Sequence, residues 1–123
     1  MNKKTVNITG WILTGLVVFM LAASAIDKIR GSQHALQMTA SFGISPDIYQ
    51  LLGVIEFLSV ILFAVPRTGL LGLLLLSAYL GGAIATHLQH HQNIGFPMAI
   101  EAIVWITAVI RFPELHKRIM GIT

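Results

Sequence analysis

Leu51–Val65 reads LLGVIEFLSVILFAV. With its flanks it is long enough to cross a bilayer as a helix, for which about 20 mostly apolar residues suffice. One carboxylate, Glu56, stands near its middle. Eleven of the residues are Leu, Ile, Val or Phe. Each favours insertion by about 0.3–0.6 kcal/mol, against roughly 3 kcal/mol for a central acid. The segment therefore inserts in spite of Glu56. A charge held in hydrocarbon is rare unless it meets a partner, a cavity or a ligand, so the rest of the chain has to supply what Glu56 faces.

The composition agrees with a membrane setting. The 123 residues are 55% hydrophobic and only 11% charged, and the mean hydropathy is +0.79, whereas a soluble domain carries about 25% charged residues. The length suits one domain, residues 1–123, without a separate soluble module. Cysteine is absent, which excludes disulfides, thiol redox chemistry, thiolate metal sites and covalent c-type haem. The net charge of +3 comes from basic residues spread between apolar runs, where they act as topology signals. No compact basic patch is present, so nucleic acid is not an expected partner.

Four spans are expected, over about 8–26, 47–65, 68–88 and 97–112, giving an all-α integral membrane four-helix bundle. The first run also imitates a signal peptide, with Ala23-Ser24-Ala25 as an A-x-A site. Its apolar length exceeds that of a signal core, which favours an anchor. Gly31–Pro46 is too polar and too short to span and is expected to lie laterally or re-enter. Pro66-Arg67 marks a tight turn. Ser77, Gly81 and Ala85 form a small-residue stripe that suits close approach of another helix, most simply as plain packing. Pro97 opens the fourth span, and Glu114–Thr123 is a short basic tail. With the N-terminus inside, Lys3, Lys4, Arg67, Arg111, Lys117 and Arg118 share the inner side, against Lys28 and Arg30 outside. The positive-inside rule then puts both termini in the cytoplasm, and a bacterial inner membrane is the expected location.

This topology gives the polar residues a depth. Glu56 lies roughly 13 Å inward from the outer start of its helix, and Glu101 roughly 6 Å, at about 1.5 Å per residue. Asp27, Lys28 and His87 stand at the outer helix ends. All fall in the outer half, as a pocket opening outward or into the outer leaflet requires. Tyr49 lies seven residues before Glu56 and shares its face, Tyr79 and Thr86 share another, and Trp105 sits one turn below Glu101. Acids, a histidine and aromatic walls fit the general form of a small-molecule site. Glu56 and His87 are the expected proton-transfer or ligand hydrogen-bonding pair, with Glu101, Tyr49, Tyr79, Trp105 and Lys28 as ligand-binding candidates. Each also has a plainer reading: Glu56 bonded to a neighbouring helix, His87 at a helix end, Asp27 and Lys28 as interfacial charges. His87, His90 and His91 have i, i+3, i+4 spacing but no accompanying carboxylate motif, and no metal is expected.

Several short motifs, in order, carry a resemblance. They are Asp27-Lys28 at the end of helix one, Leu52-Gly53-Val54-Ile55-Glu56, Pro66 at the turn, Thr86-His87-Leu88 closing helix three, Pro97, and Arg111-Phe112-Pro113. Together they resemble the DoxX-like family, within the DoxX/DoxD group of small four-helix membrane proteins. The resemblance implies Glu56 and His87 as the polar positions to carry over. It also implies a function among those of the group: a membrane component of thiosulfate:quinone oxidoreduction, proteins tied to quinones or oxidative stress, and membrane assembly factors. A quinone or other lipophilic ligand is the first expectation. A non-enzymatic subunit or assembly factor, with a membrane-protein partner or as a homo-oligomer, is the second. A proton or small-ion transporter is the third, disfavoured because the inner half holds no relay. The absence of cysteine departs from any thiol-using relative.

Overall fold

The computed structural model describes residues 2–122, which form six α-helices and no strand. Helix α1 spans Lys3–Arg30, α2 Gln33–Phe42, α3 Pro46–Ala64, α4 Gly69–Gln89, α5 Gly95–Arg111 and α6 Pro113–Met120, with a 3-10 turn at Pro66–Thr68 between α3 and α4. Local chemistry sets the boundaries. Asn2, Ser32 and Ser45 cap α1, α2 and α3 through their side-chain oxygens, and Pro46 occupies the first turn of α3. Gly31, Gly43 and Gly121 end α1, α2 and α6 with φ of 65°, 67° and 70°, the left-handed conformation that costs glycine least.

The four long helices pack in the cyclic order α1–α3–α4–α5, each against its two neighbours. Their shared interior holds Val17, Leu21, Val60, Phe63, Leu73, Leu76, Leu80, Val104 and Ala108. The outside is as apolar as the inside. Phe19 is 75% exposed, and Ile12, Leu58, Leu74 and Ile106 are all surface residues. Such a surface is a liability in water and an asset in lipid. Hydroxyl groups within the helices bond their own backbone, as Thr14 to Gly10 O, Ser59 to Ile55 O and Thr107 to Ile103 O. Polar atoms are thereby satisfied without water. The chain is an all-α integral membrane four-helix bundle.

Three helices, α1, α3 and α4 with its preceding turn, are long and apolar enough to cross a membrane. Helix α5 has 17 residues, about 25 Å, and joins α6 through a 106° bend. Most of the basic tail thus forms α6, turned across the bundle axis, with Leu115 packed on the core. The 31–46 segment, expected to be lateral or re-entrant, is a ten-residue helix set against α1 and α3. Helix α5 begins at Gly95, two residues before the proline expected to open it.

Lys28 marks one end of the bundle and Arg111 the other. At the Arg111 end the packing is tight. A Cβ added to Gly72 would lie 2.2 Å from the Phe63 backbone nitrogen, and one on Gly69 would lie 2.2 Å from the Phe112 ring. Arg111 donates to Phe63 O at 2.7 Å and Ala64 O at 3.0 Å, and Thr68 donates to Leu62 O at 2.8 Å. The last carbonyls of a helix have no partner within it, and these side chains supply three for α3. The guanidinium also rests against the rings of Trp11, Phe63 and Phe112, 4.8–5.2 Å from their centroids.

Candidate functional site

The Lys28 half of the bundle is hollow. A cavity of about 740 Å³ lies among α1, α2, α3, α4 and the start of α5, within the size range of small-molecule sites, about 300–1,000 Å³. Most of its wall is apolar, with Met20, Leu21, Met38, Phe42, Leu52 and Ile100 contributing. Ile55, Leu75, Ala78 and Gly82 line it and are also exposed on the flank shared by α3 and α4. The cavity therefore reaches the apolar side of the bundle.

Glu56 sits in this wall with 1% of its surface exposed. Its partner is Lys28, whose Nζ lies 3.1 Å from Glu56 Oε1. Nζ also donates to Ser24 Oγ at 2.6 Å, and Ser24 donates to the same carboxylate oxygen at 3.4 Å. Ser24 and Lys28 are one helical turn apart on α1, so both reach α3 from one face. The approach is made possible by Gly53, one turn before Glu56. A Cβ there would lie 2.7 Å from Lys28 Cβ and 2.9 Å from Ala25 O. The glycine brings α1 and α3 together where their charges must meet. Burying two ions costs several kcal/mol each, which close pairing and added hydrogen bonds offset. Tyr49 and Tyr79 flank the ammonium, with ring centroids 5.5 Å and 5.8 Å from Nζ, close enough for a cation–π attraction.

His87 lines the same cavity. Its Nδ1 lies 2.7 Å from Ala83 O, and its ring meets Phe42 edge-on at 4.9 Å. A carbonyl accepts only, so Nδ1 carries the proton. The wall at the end of the bundle is α2, through His34, Met38 and Phe42. Asp27 anchors that helix: it accepts from Ser32, the α2 cap, and lies 3.0 Å from His34 Nδ1. Gln92 donates to Ser41 from the α4–α5 loop.

Glu56, His87, Tyr49, Tyr79 and Lys28 thus converge on one cavity. Glu101 and Trp105, expected on its wall, do not line it. Helix α5 turns Pro97 and Ile100 to the cavity; Glu101 is half-buried on the adjoining stripe, and Trp105 packs against the hydrophobic core. The histidine triplet is also dispersed. Helix α4 stops at Gln89, His91 has φ of 55°, and the Nδ1 of His90 is held by Thr86 O. Among the described residues, no group of three His, Cys, Asp or Glu side chains is arranged to hold a metal ion. Ser24 was missed as a site residue, although its i, i+4 relation to Lys28 was available to find it. Within α1 it stands inside an unbroken helix, and Ala25 beside it is fully buried.

A small four-helix membrane protein with a buried Lys–Glu pair on the wall of an internal cavity is the class these features define. A family profile matches residues 12–110 and is that of the DoxX-like family. The chain belongs to the DoxX-like family. No curated protein and no solved structure shows a significant match. The motifs that carry the resemblance have physical roles in the fold. Asp27-Lys28 ties α1 to α2 and α3, Gly53 and Glu56 complete the contact, His87 faces the cavity, and Arg111-Phe112-Pro113 closes the opposite end.

Proposed function

We propose that the cavity binds a lipophilic small molecule such as a quinone. The observation that carries this reading is a cavity of about 740 Å³ whose mainly apolar wall includes Lys28, Glu56 and His87 and which reaches the apolar flank of the bundle. A membrane-dissolved ligand enters such a site without crossing water. Lys28 and His87 offer hydrogen bonds to ligand oxygens, Glu56 holds Lys28 in place, and the tyrosine and phenylalanine rings provide flat walls. In a redox or oxidative-stress role, electrons would come from a bound cofactor or partner protein, and the Glu56–His87 pair would handle protons. The proposed setting is a bacterial inner membrane with both termini cytoplasmic. The cysteine-free chain is suited to single-cysteine accessibility labelling at residues 4 and 92, which reports the two sides.

The decisive experiment is native mass spectrometry with an absorbance spectrum on gently extracted protein, wild type beside Glu56→Gln. A quinone or other lipophile retained by the wild type and lost from the variant supports the reading. Retention unchanged by the substitution removes the site from Glu56, and absence of any ligand even after incubation with both a quinone and its reduced quinol rejects the reading.

One observation favours a second reading, a non-enzymatic subunit or assembly factor. In the Ser77, Gly81 and Ala85 stripe, Ser77 is half-buried, but Gly81 and Ala85 are exposed, and a Cβ on Gly81 meets nothing within 4 Å. A partner helix, from another protein or a second copy, would seat there. Co-purification of a stoichiometric partner, lost on Gly81→Leu, supports that reading.

A further inference from the structure

The hydrogen-bonding polarity of His87 narrows the ligand. Helix α4 holds the ring by an i−4 bond, Nδ1 to Ala83 O at 2.7 Å, and Phe42 lies edge-on against it at 4.9 Å. The proton of the neutral imidazole is therefore on Nδ1, and Nε2 presents a lone pair. Nε2 has no hydrogen-bond partner among the described residues, and His87 is part of the cavity wall. Lys28 has the opposite polarity. Its ammonium has three N–H groups; Ser24 and Glu56 take two, and the side chain lines the same cavity. The site thus offers an acceptor at His87 and a donor at Lys28.

We infer that the cavity selects a lipophile bearing a hydroxyl group, which donates to His87 Nε2, over the same molecule with that oxygen capped or oxidised to a carbonyl. A carbonyl or ether oxygen at this position would set one acceptor against another and leave Nε2 desolvated without a bond. Sites built to bond a hydroxyl discriminate strongly against analogues lacking it. For a quinone-type ligand the reduced, phenolic form is the one that fits. This inference rests on the reading of the cavity as a ligand site, and it makes His87 the residue that sets the preference.

The test uses the full chain in lipid nanodiscs and two probes of matched size, 4-nonylphenol and 4-nonylanisole, by equilibrium dialysis against empty nanodiscs. The wild type is expected to bind the phenol roughly tenfold more tightly than the anisole after correction for partitioning. His87→Phe keeps the aromatic contact with Phe42 and removes the acceptor, so the ratio should fall to about one while anisole binding holds. Equal wild-type affinities, or a phenol preference that survives His87→Phe, overturn the inference and leave the ligand site standing. Failure of both probes to bind the wild type overturns the inference and the ligand-site reading together. If His87→Phe does not fold, the wild-type ratio decides.

Discussion

Helix α4 carries glycines at both ends of the bundle, and they do opposite things. Toward the Arg111 end, Gly69 and Gly72 have no room for a methyl group, because Phe112 and the α3 backbone lie where a Cβ would stand. Toward the Lys28 end, Gly81 and Gly82 have nothing within 4 Å of that position. The first pair closes the bundle; of the second, Gly82 lines the cavity and Gly81 is exposed on the outside. The closed half is finished with neutral packing and a guanidinium that satisfies the end of α3. The open half is held by one buried ion pair. A membrane bundle can keep a cavity at one end because its other end supplies the close packing that association in lipid requires.

Four substitutions test this division, the most damaging first. Lys28→Met leaves Glu56 buried without its counter-ion and should cost about 3–5 kcal/mol, with much of the loss recovered in Lys28→Met/Glu56→Gln. Reversible unfolding in mixed micelles measures both; additive losses would show that the pair does not hold the open half. Gly72→Ala drives a methyl into the Phe63 backbone and should cost roughly 3 kcal/mol by the same assay. Arg111→Lys removes the planar fork that reaches two carbonyls and should cost about 1–2 kcal/mol. A neutral result there would mean that lipid or water satisfies the α3 end as well as the arginine does. Gly81→Ala should be neutral or stabilising by up to about 1 kcal/mol, since alanine favours helix and the space is open. If Gly81→Ala proved as harmful as Gly72→Ala, the contrast between the two halves would fail, and a partner on the α4 face would be the explanation to pursue.

Much of the cavity's polar lining is readable in the sequence. A carboxylate inside an apolar run announced itself at Glu56 by its insertion cost, and Lys28, Tyr49, Tyr79 and His87 followed from helical spacing and common depth. Glu101 was placed on the wall because depth alone is silent about azimuth: Ile100, one residue away, takes the inward direction. Arg111 was read as a topology charge, and nothing local to residue 111 reveals that its fork reaches carbonyls 47 and 48 residues earlier in the chain. The histidine triplet was read as a polar loop in spite of its i, i+3, i+4 spacing, and α4 does stop at Gln89, before His90 and His91.

Residue composition and run length were enough to determine that this chain is a helical membrane protein, because transfer of a side chain into lipid depends on the side chain and the length of its helix. Family membership followed from short motifs in order, some of which are local joints, such as Asp27-Lys28 and Arg111-Phe112-Pro113, and some of which line the cavity, such as His87 and Pro97. Which charges meet, where space remains, and which face of each helix looks inward were decided by helix-to-helix approach. That approach depends on contacts between residues far apart in sequence. Gly53 against Lys28 sets the ion pair, Gly72 against Phe63 closes one end, and Gly81 and Gly82 have no such neighbour at the other.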